Sequence, residues 1–474
     1  MGFYARIYLA SLVCVLSVTT AQGQSKDTVK KFVIGDVLIQ GNNITKPPII
    51  FRELTFKKGD TIVASQWPFL TERSKNNLKN TSLFHFVEID TIRLAGGELD
   101  VMIQVQERWY LFPVPILKVE ERNVNTWWTQ DHHRLDKLDY GAYLEYSNVF
   151  GQKQILKLRA QFGYTQQFGG TYIIPYLTKK QAGGLTFNFN YSVNHEIPYT
   201  SVNDVLTYLD DPAQMLRTQY TGTVDYTLRQ GFYNTHTFEA DVFYNKIADT
   251  IAKLTYDYLP FNQTQTLFPE VKYSFKRDVR DCVPYPLKGY LFYIGLNEYG
   301  LGLPIDNKAF NLFYIKASFH KYWNLAPRFY YSAEIAGKIS QNGAQPYSLQ
   351  DALGYYKDFV RGYELYVVDG NNYAFVKNEI KFQIVDVPSI IIPKLGINQF
   401  NKAYFSLYLT AFSDWAYVTA ADPYVVNNFL ANAAIWGNGF GLDFVTYYDL
   451  VFRLEYSFNK LGQSGFFLHF VAPM

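Results

Sequence analysis

The stretch DLVFRLEYSFNK, from Asp449 to Lys460, alternates between apolar and polar residues from Phe452 to Asn459. One face of an extended chain would carry Leu450, Phe452, Leu454, Tyr456 and Phe458. Charged and polar side chains dominate the other face. Residues 235–245, THTFEADVFYN, repeat the pattern. Because successive side chains of a β-strand point to opposite faces, the pattern predicts strands with one apolar face.

Strand length separates two kinds of β-protein. A soluble sandwich also alternates, but its strands average about 5–6 residues. Several of the strands predicted here exceed ten residues. A tilted strand that crosses a bilayer needs about 9–11 residues. The sequence therefore predicts a mainly β protein in which residues 110–474 form an antiparallel transmembrane β-barrel.

The predicted barrel has sixteen strands, and an even number suits a bacterial barrel whose two ends lie on the same side of the membrane. Short connections such as FGQ and RQGF would face the periplasm, and long ones such as 195–215 and 341–370 would face outward. The predicted strands are 112–120, 139–150, 152–165, 170–178, 181–195, 216–230, 233–247, 265–278, 289–302, 307–324, 328–340, 371–387, 404–418, 438–448, 449–462 and 465–473.

Composition supports a membrane surface. Of the 474 residues, 18% are charged and another 18% are aromatic, with 40 Tyr and 38 Phe, while the mean hydropathy is −0.13. Tyrosine-rich surfaces suit a lipid–water boundary, because the ring is apolar and the hydroxyl bonds water. The net charge of +2 gives no sign of a nucleic-acid partner.

The first 24 residues read as a secretory signal peptide. Arg6 precedes the apolar stretch IYLASLVCVLSV, and small and polar residues follow, so we expect cleavage between Ala21 and Gln24. Cys14 lacks the small preceding residue that lipidation requires. After cleavage Cys282 is the only cysteine, which excludes an intrachain disulfide and a thiolate metal cluster. The rest of the sequence has no apolar run long enough for a transmembrane helix.

Residues 30–108 follow a different pattern from the barrel. A strand, KKFVIGDVLIQGNN, precedes two helical segments, the first opened by two prolines. Two further strands follow, joined by AGG as a hairpin turn. The order strand, helix, helix, strand, strand predicts a small α+β domain.

The stretch DFVRGYELYVVDGNNYAFVKNEIKF, from Asp358 to Phe382, combines a loop with a strand. In the strand, Glu379 shares a face with Lys377 and Lys381, opposite apolar residues that suit lipid. The same parity in YFSLYLTAFSDWAY turns Asp414 away from the lipid face. Both carboxylates are therefore predicted to point into the barrel.

Three segments together resemble the BamA/TamA-like outer-membrane assembly and translocation superfamily. Residues 30–108 resemble one POTRA domain, through GNN, LKNTSLFHFVEI and VQER. YLEYSNVFGQKQILKLRAQF resembles an early barrel hairpin, and FVRGYE resembles the Arg-Gly-Phe/Tyr loop motif. The resemblance implies that the loop with Arg361, Gly362 and Tyr363 enters the lumen, where Arg361 would bridge Glu379 and Asp414. The alternative is a solvated loop arginine and two unrelated carboxylates.

The resemblance also implies that the last strand carries an assembly signal and that the first and last strands close weakly. QSGFFLHF contains Gly465, Leu468 and Phe470 in the signal's spacing, although an ordinary final strand would also fit. We infer a seam short of hydrogen bonds, because Pro113 and Pro115 in the first strand and Pro473 at the end of the last strand cannot donate. The alternative is that these prolines sit at strand ends.

The function that the resemblance implies is insertion of outer-membrane proteins or translocation of polypeptides, by a protein of the bacterial outer membrane with its POTRA domain in the periplasm. The implied partners are the lipid bilayer, unfolded client polypeptides and periplasmic chaperones or accessory lipoproteins. A single POTRA-like domain favours an accessory role. The alternatives are a pore or receptor for small solutes, or a soluble secreted β-protein.

Enzyme motifs are weak, and we predict no catalytic residue, cofactor or resident metal. The sequence has no Gly-x-Ser-x-Gly elbow, and HEIPY at His195 lacks the second histidine of a zincin. DHHR at residues 131–134 could bind a metal, but a polar loop explains it as well. Such a protein would act by strand exchange and by local thinning of the bilayer.

Overall fold

The fold is taken from a computed structural model of the chain. It describes residues 30–93, 98–119, 124–130, 132–178, 182–305, 308–341, 345–391, 402–420, 428–446 and 450–471. The predicted signal peptide, Asp131 and Pro473 lie outside the described residues.

The N-terminal domain is a four-stranded sheet covered by two helices, which confirms the predicted α+β domain. Its elements are β1 (Lys31–Gln40), α1 (Pro47–Phe51), β2 (Thr61–Val63), α2 (Trp67–Lys79), β3 (Phe84–Arg93) and β4 (Glu98–Glu107). The sheet order is β2-β1-β4-β3, with β1 parallel to β4 and the other pairs antiparallel. Ile50, Leu78, Val101 and Ile103 are fully buried between helices and sheet, so the domain has its own apolar core.

The rest of the chain is built mostly from strands. They are β5 (Leu111–Val119), β6 (Leu138–Val149), β7 (Gln154–Gly163), β8 (Thr165–Ile174), β9 (Gly183–Asn194), β10 (Glu196–Val202), β11 (Val205–Asp210), β12 (Arg217–Gln230), β13 (Asn234–Ile247), β14 (Gln265–Asp278), β15 (Gly289–Tyr299), β16 (Pro304–Ile305), β17 (Lys308–Ala309), β18 (Leu312–Ala326), β19 (Phe329–Ser340), β20 (Asp351–Leu353), β21 (Val368–Asp369), β22 (Asn372–Ile391), β23 (Lys402–Thr419), β24 (Ala434–Thr446), β25 (Val451–Asn459) and β26 (Ser464–Val471). Two short helices lie in the connections, α3 (Val124–Thr129) and α4 (Asp249–Leu254).

Sixteen of these strands form one antiparallel sheet in chain order, from β5 to β26. The sheet leaves out three short hairpins, β10–β11, β16–β17 and β20–β21, which pair only within themselves. Each of the sixteen predicted segments overlaps one strand of the sheet, so the predicted barrel architecture is confirmed.

The two faces of the sheet differ as the alternation predicted. On β24, Phe440, Leu442 and Phe444 are 60%, 40% and 38% exposed on the outer face, while Gly441 and Asp443 are buried on the inner face. Strands with an apolar outer face and a polar inner face are typical of a transmembrane barrel. Among the described residues, no helix is both long enough and apolar enough to span a membrane.

The two end strands, β5 and β26, meet at a seam. Within the described residues no ladder joins β5 to β26. The chain that follows β5 nevertheless reaches the other end of the sheet, because Thr126 in α3 donates a hydrogen bond to the carbonyl of Glu364 (3.2 Å) and Gln130 donates one to that of Leu365 (3.1 Å). Since α3 also packs on β26, the sheet curves round into a barrel. We call the end where β5 begins the near end and the opposite one the far end.

The N-terminal domain is bound to strand ends at the near end. Arg229, near the end of β12, donates two hydrogen bonds to the carboxylate of Glu53, at 2.6 and 2.9 Å. Burial alone would raise the pKa of Glu53, but the hydrogen bond and the charge of Arg229 outweigh it and hold the pKa below its ordinary value. The near end of β6 adds a second contact, in which Asn148 donates to the hydroxyl of Thr45 (2.9 Å).

Candidate functional site: a charged cluster in the barrel lumen

Arg361 lies in the connection between β19 and β22, which turns from the far end into the lumen. It is only 5% exposed. Its guanidinium donates from Nε and Nη2 to the two carboxylate oxygens of Asp414 on β23, at 2.8 and 2.7 Å. The backbone N–H of Arg361 donates to the same carboxylate at 3.2 Å. Such a two-pronged contact is the geometry in which an arginine–carboxylate pair is strongest.

The third nitrogen of the guanidinium reaches two more strands. Nη1 lies 3.3 Å from Oε1 of Glu379 on β22 and 3.4 Å from Oε1 of Glu455 on β25. The guanidinium carbon also lies 3.8 Å from the centre of the Phe412 ring, a cation–π contact. One side chain of the loop therefore contacts carboxylates on three strands of the barrel wall.

Gly362 makes the turn that directs Arg361 at the wall. Its φ of +90° lies in the left-handed region, which glycine adopts without strain. Its N–H donates to Oε2 of Glu364 (2.8 Å), and its carbonyl accepts from Nδ2 of Asn459 (2.7 Å). Tyr363 is 3% exposed, and its hydroxyl accepts a hydrogen bond from the N–H of Lys460 (3.2 Å). The motif is thus tied to the wall at three successive residues.

The inner face of β24 carries glycine where the loop comes closest. A Cβ added to Gly437 would lie 1.7 Å from the carbonyl oxygen of Arg361. At Gly439 a Cβ would lie 2.6 Å from the Phe412 ring, the ring that Arg361 covers. Glycine inside a strand often marks the close approach of another backbone. The stretch WGNGFG therefore provides the space into which the loop fits.

Further charges extend the cluster toward the near end. Lys381 lies 3.3 Å from Oε2 of Glu379. Arg453 on β25 forms a two-pronged pair with Asp443, at 2.9 and 3.0 Å. Tyr285, in the turn between β14 and β15, donates its hydroxyl to Asp443 at 2.8 Å. The cluster therefore links the loop from the far end to a turn from the near end.

The far end of the barrel is covered by the hairpin β10–β11. Asp204 at its tip accepts hydrogen bonds from the N–H groups of Phe429 (2.9 Å) and Leu430 (3.1 Å), and its own carbonyl accepts one from the N–H of Val367. Burial raises the pKa of Asp204 to about 6. From the far end, the hairpin therefore contacts the lumenal loop at Val367 and the connection between β23 and β24 at Phe429 and Leu430.

The structure brings together Arg361, Glu379 and Asp414, the three residues of the predicted tether. Sequence reasoning missed Glu455 and Arg453 as members of the cluster. Both lie on the polar face of the stretch from Asp449 to Lys460, so the alternation places them on the side of the strand away from lipid. Their distance from the loop depends on strand order and register, which alternation does not give.

The predicted seam prolines lie inside β5. The N–H of Ser147 donates to the carbonyl of Tyr110, so residues of β5 alternate from there between positions that bond β6 and positions that face the seam. By this parity Pro113 and Pro115 both occupy seam-facing positions, where each removes a donor. Of the predicted assembly-signal residues, the outer face of β26 exposes Leu468 (47%) and Phe470 (59%). Gly465 falls on the inner face.

The weaker metal and enzyme motifs are placed in the loops. His133 stands edge-on to Trp128 with ring centres 4.0 Å apart. Asp131, which precedes this pair of histidines, is outside the described residues. His195 lies with Nδ1 3.0 Å from the carbonyl oxygen of Gln214. Cys282 is partly buried and, within the described residues, forms no disulfide.

The chain was compared with known families and proteins. No protein-family model matches the sequence, and no curated protein matches it. Solved structures do match it, and in these the chain is similar to BamA and CdiB. The crystal structure of BamA from Haemophilus ducreyi lacking POTRA domains 1–3 has a TM-score of 0.49 at 13% identity, over 93% of this chain and 83% of that one.

CdiB is matched from two organisms. CdiB from Acinetobacter baumannii has a TM-score of 0.48 at 12% identity, over 93% of this chain and 73% of that one. CdiB from Escherichia coli has a TM-score of 0.48 at 10% identity, over 96% and 92%. The strand order and registers of the sheet, not these scores, define the fold.

Proposed function

We propose that the protein is an outer-membrane protein of the BamA/TamA-like superfamily that inserts other outer-membrane proteins or moves polypeptides across that membrane. Residues 30–108 would be its POTRA domain, in the periplasm. The observation that carries the proposal is the seam. Within the described residues β5 and β26 share no ladder, whereas every pair of neighbouring strands from β5 round to β26 does.

The seam can pair with an incoming strand because, among the described residues, no ladder joins the edges of β5 and β26. By the parity of the ladders, seam-facing residues of β26 include Phe466, Leu468 and Phe470. On the β5 edge Pro113 and Pro115 leave two positions without an N–H. An unpaired strand edge is a template for another chain. A client strand could therefore bond β26 without displacing a complete ladder.

The outer face of the strands next to the seam suits the lipid bilayer. Phe452, Leu454, Phe466, Leu468 and Phe470 are each between 38% and 69% exposed. A band of apolar side chains on successive strands is the surface that a transmembrane barrel presents to lipid. We therefore propose the outer membrane as the location.

The filled lumen favours this function over a pore for small solutes. The loop with Arg361 crosses the interior and is fixed to three strands, while hairpin β10–β11 covers the far end. A general porin needs a continuous water-filled channel. The described lumen instead resembles a plugged one.

The N-terminal domain offers a second edge for client polypeptides. β3 is an edge strand of ten residues, paired on one side with β4. An extended peptide can add to such an edge through backbone hydrogen bonds. We propose that unfolded clients bind here before they reach the seam, delivered by periplasmic chaperones or accessory lipoproteins.

The test is depletion followed by complementation. Cells that lack the protein should lose a subset of outer-membrane or surface proteins, measured by quantitative proteomics of membrane and secreted fractions. The wild-type gene should restore them. The variant Pro113→Val/Pro115→Val, which returns two donors to the seam, should restore them less well. Pro269→Val on the interior strand β14 is the matched control and should complement fully.

An unchanged outer-membrane and secreted proteome after depletion would overturn the proposal. Conductance in planar bilayers tests the solute pore directly. The wild-type protein should give small, irregular currents, and deletion of residues 354–367 should give large, steady ones. Large, steady currents from the wild type would favour the pore.

A further inference from the structure

Three side chains converge at the seam beside the Arg361 tether, which contacts one of them, Glu455, only through Oε1. Nε2 of His469 on β26 lies 3.2 Å from Oε2 of Glu455 on β25 and 3.6 Å from Oε1 of Glu364 in the lumenal loop. All three ligand-type atoms lie within 4.8 Å of one another. The Phe359 ring stacks on His469, with centres 5.6 Å apart and planes 22° apart, which fixes the imidazole.

Glu455 divides its two oxygens between two environments. Oε1 faces the guanidinium groups of Arg361 (3.4 Å) and Arg453 (3.7 Å). Oε2 faces His469 and, within the described residues, has no hydrogen bond of good geometry, although the side chain is fully buried. A buried carboxylate oxygen without such a bond is costly, so a cation bound beside His469 would stabilise it.

Among the ion pairs of the described residues, the carboxylates of the cluster outnumber the fixed cations. The ion pairs that connect it join three fixed cations, Arg361, Lys381 and Arg453, to carboxylates. The carboxylates are Glu364, Glu379, Asp414, Asp443 and Glu455. Five negative charges against three positive ones leave a net charge of −2 when His469 is neutral.

We propose that Glu364, Glu455 and His469 bind one divalent transition-metal ion of the Zn²⁺ type. One imidazole nitrogen and two carboxylate oxygens are ligands that Zn²⁺ accepts, and the imidazole favours a transition metal over Ca²⁺ or Mg²⁺. Ligand atoms at about 2.0–2.2 Å from a tetrahedral Zn²⁺ lie about 3.3–3.6 Å apart. The two distances to His469 match this spacing.

The site has access to water for a fourth ligand. It borders a lumenal cavity of about 710 Å³ whose lining includes Glu455 and His469. Because its ligands come from β25, β26 and the loop, the metal ties the seam strand β26 to the loop that Arg361 anchors. The site does not depend on the proposed function and would exist equally in a solute pore.

The competing arrangement is a protonated imidazole of His469 that bridges the two carboxylates without metal. Titration of the full chain with ZnCl₂ decides between them. The protein is purified in detergent through a tag without histidine, stripped with a chelator and studied by calorimetry. The wild type should bind one Zn²⁺ per chain, and Zn²⁺ should raise its melting temperature.

Three variants locate the site. His469→Gln should weaken Zn²⁺ binding by about 100-fold or more, and Glu364→Gln by about tenfold or more. His320→Gln is the matched control, because His320 also lies in the lumen but pairs with Glu334 on β19. It should bind Zn²⁺ as the wild type does. If His469→Gln does not give a folded barrel on a gel, Glu364→Gln decides.

Two results would overturn the proposal. One is a wild-type protein with no saturable Zn²⁺ binding, which the protonated bridge predicts. The other is a folded His469→Gln or Glu364→Gln variant that binds Zn²⁺ with wild-type affinity.

Discussion

Replacement of Arg361 by alanine should be among the most destabilising single changes in the barrel. The side chain is buried and contacts three carboxylates, so its loss leaves negative charge without a partner. Glu379 keeps Lys381 at 3.3 Å, and Glu455 keeps Arg453 at 3.7 Å. Asp414 is fully buried and, among the described residues, keeps no cation. The cost of the substitution is therefore concentrated at Asp414.

The size of the effect follows from what a broken buried pair costs. Removal of one partner of such a pair destabilises a protein by about 3–5 kcal/mol. At about 2 °C per kcal/mol for a large domain, Arg361→Ala should lower the melting temperature by about 6–10 °C. The double variant Arg361→Ala/Asp414→Ala also removes the orphaned charge. Its cost should fall short of the sum of the two single costs by about 2–3 kcal/mol.

The assay is thermal unfolding of the detergent-purified protein, followed by fluorescence and by the shift in gel mobility when the barrel unfolds. Arg159→Ala is the control, because Arg159 also faces the lumen but is exposed. Among the described residues, its side chain forms a hydrogen bond only with the neutral side chain of Gln167 (2.9 Å) and lies 6.0 Å from the centre of the Tyr143 ring. It should change stability by no more than about 0.5 kcal/mol. If Arg361→Ala melts with the wild type, or if the two single costs simply add, the tether contributes nothing and the reasoning fails.

Two further outcomes test other contacts. Gly437→Ala should lower the melting temperature about as much as loss of Arg361, because its Cβ would overlap the loop backbone, whereas Gly222→Ala, with nothing within 4 Å of its Cβ, should not; equal melting would contradict the close approach. The Glu53–Arg229 contact should persist at pH 5 and be lost only as the pH falls below about 4, because the pKa of Glu53 is lowered in the folded state. Hydrogen exchange of the segment around Glu53 measures this loss, and exchange that is already fast at pH 7, or unchanged down to pH 3, would contradict it.

The barrel strands could be predicted from the sequence because one physical demand fixes their pattern. Each strand faces an apolar exterior on one side and a polar lumen on the other, so a two-residue period runs through every strand. The period also gave the direction of Glu379 and Asp414. The two-residue period could not predict the short strands and helices. A three-residue strand such as β2 and the six-residue helix α3 leave too few residues for any period to show.

Partners across the lumen could not be predicted for a different reason. The direction of His469 is readable from parity, but its distance from Glu364 depends on how the loop folds after it enters. The same holds for Glu53 and Arg229, which are 176 residues apart and belong to different domains. The glycines of WGNGFG were a readable signal of close backbone approach, but a glycine does not say which segment approaches. Sequence patterns therefore predicted which face of a strand each residue occupies, but only the folded chain shows which residues are in contact.

The position of Arg361 in the sequence also affects the order in which its contacts can form. Its carboxylate partners all follow it, at separations of 18, 53 and 94 residues. A chain that emerges from its N-terminal end therefore presents the arginine long before the last of these acids has arrived. Until Glu455 is in place, the guanidinium lacks one of its three carboxylate partners. The loop therefore reaches its full stability only when β25, the penultimate strand, is present.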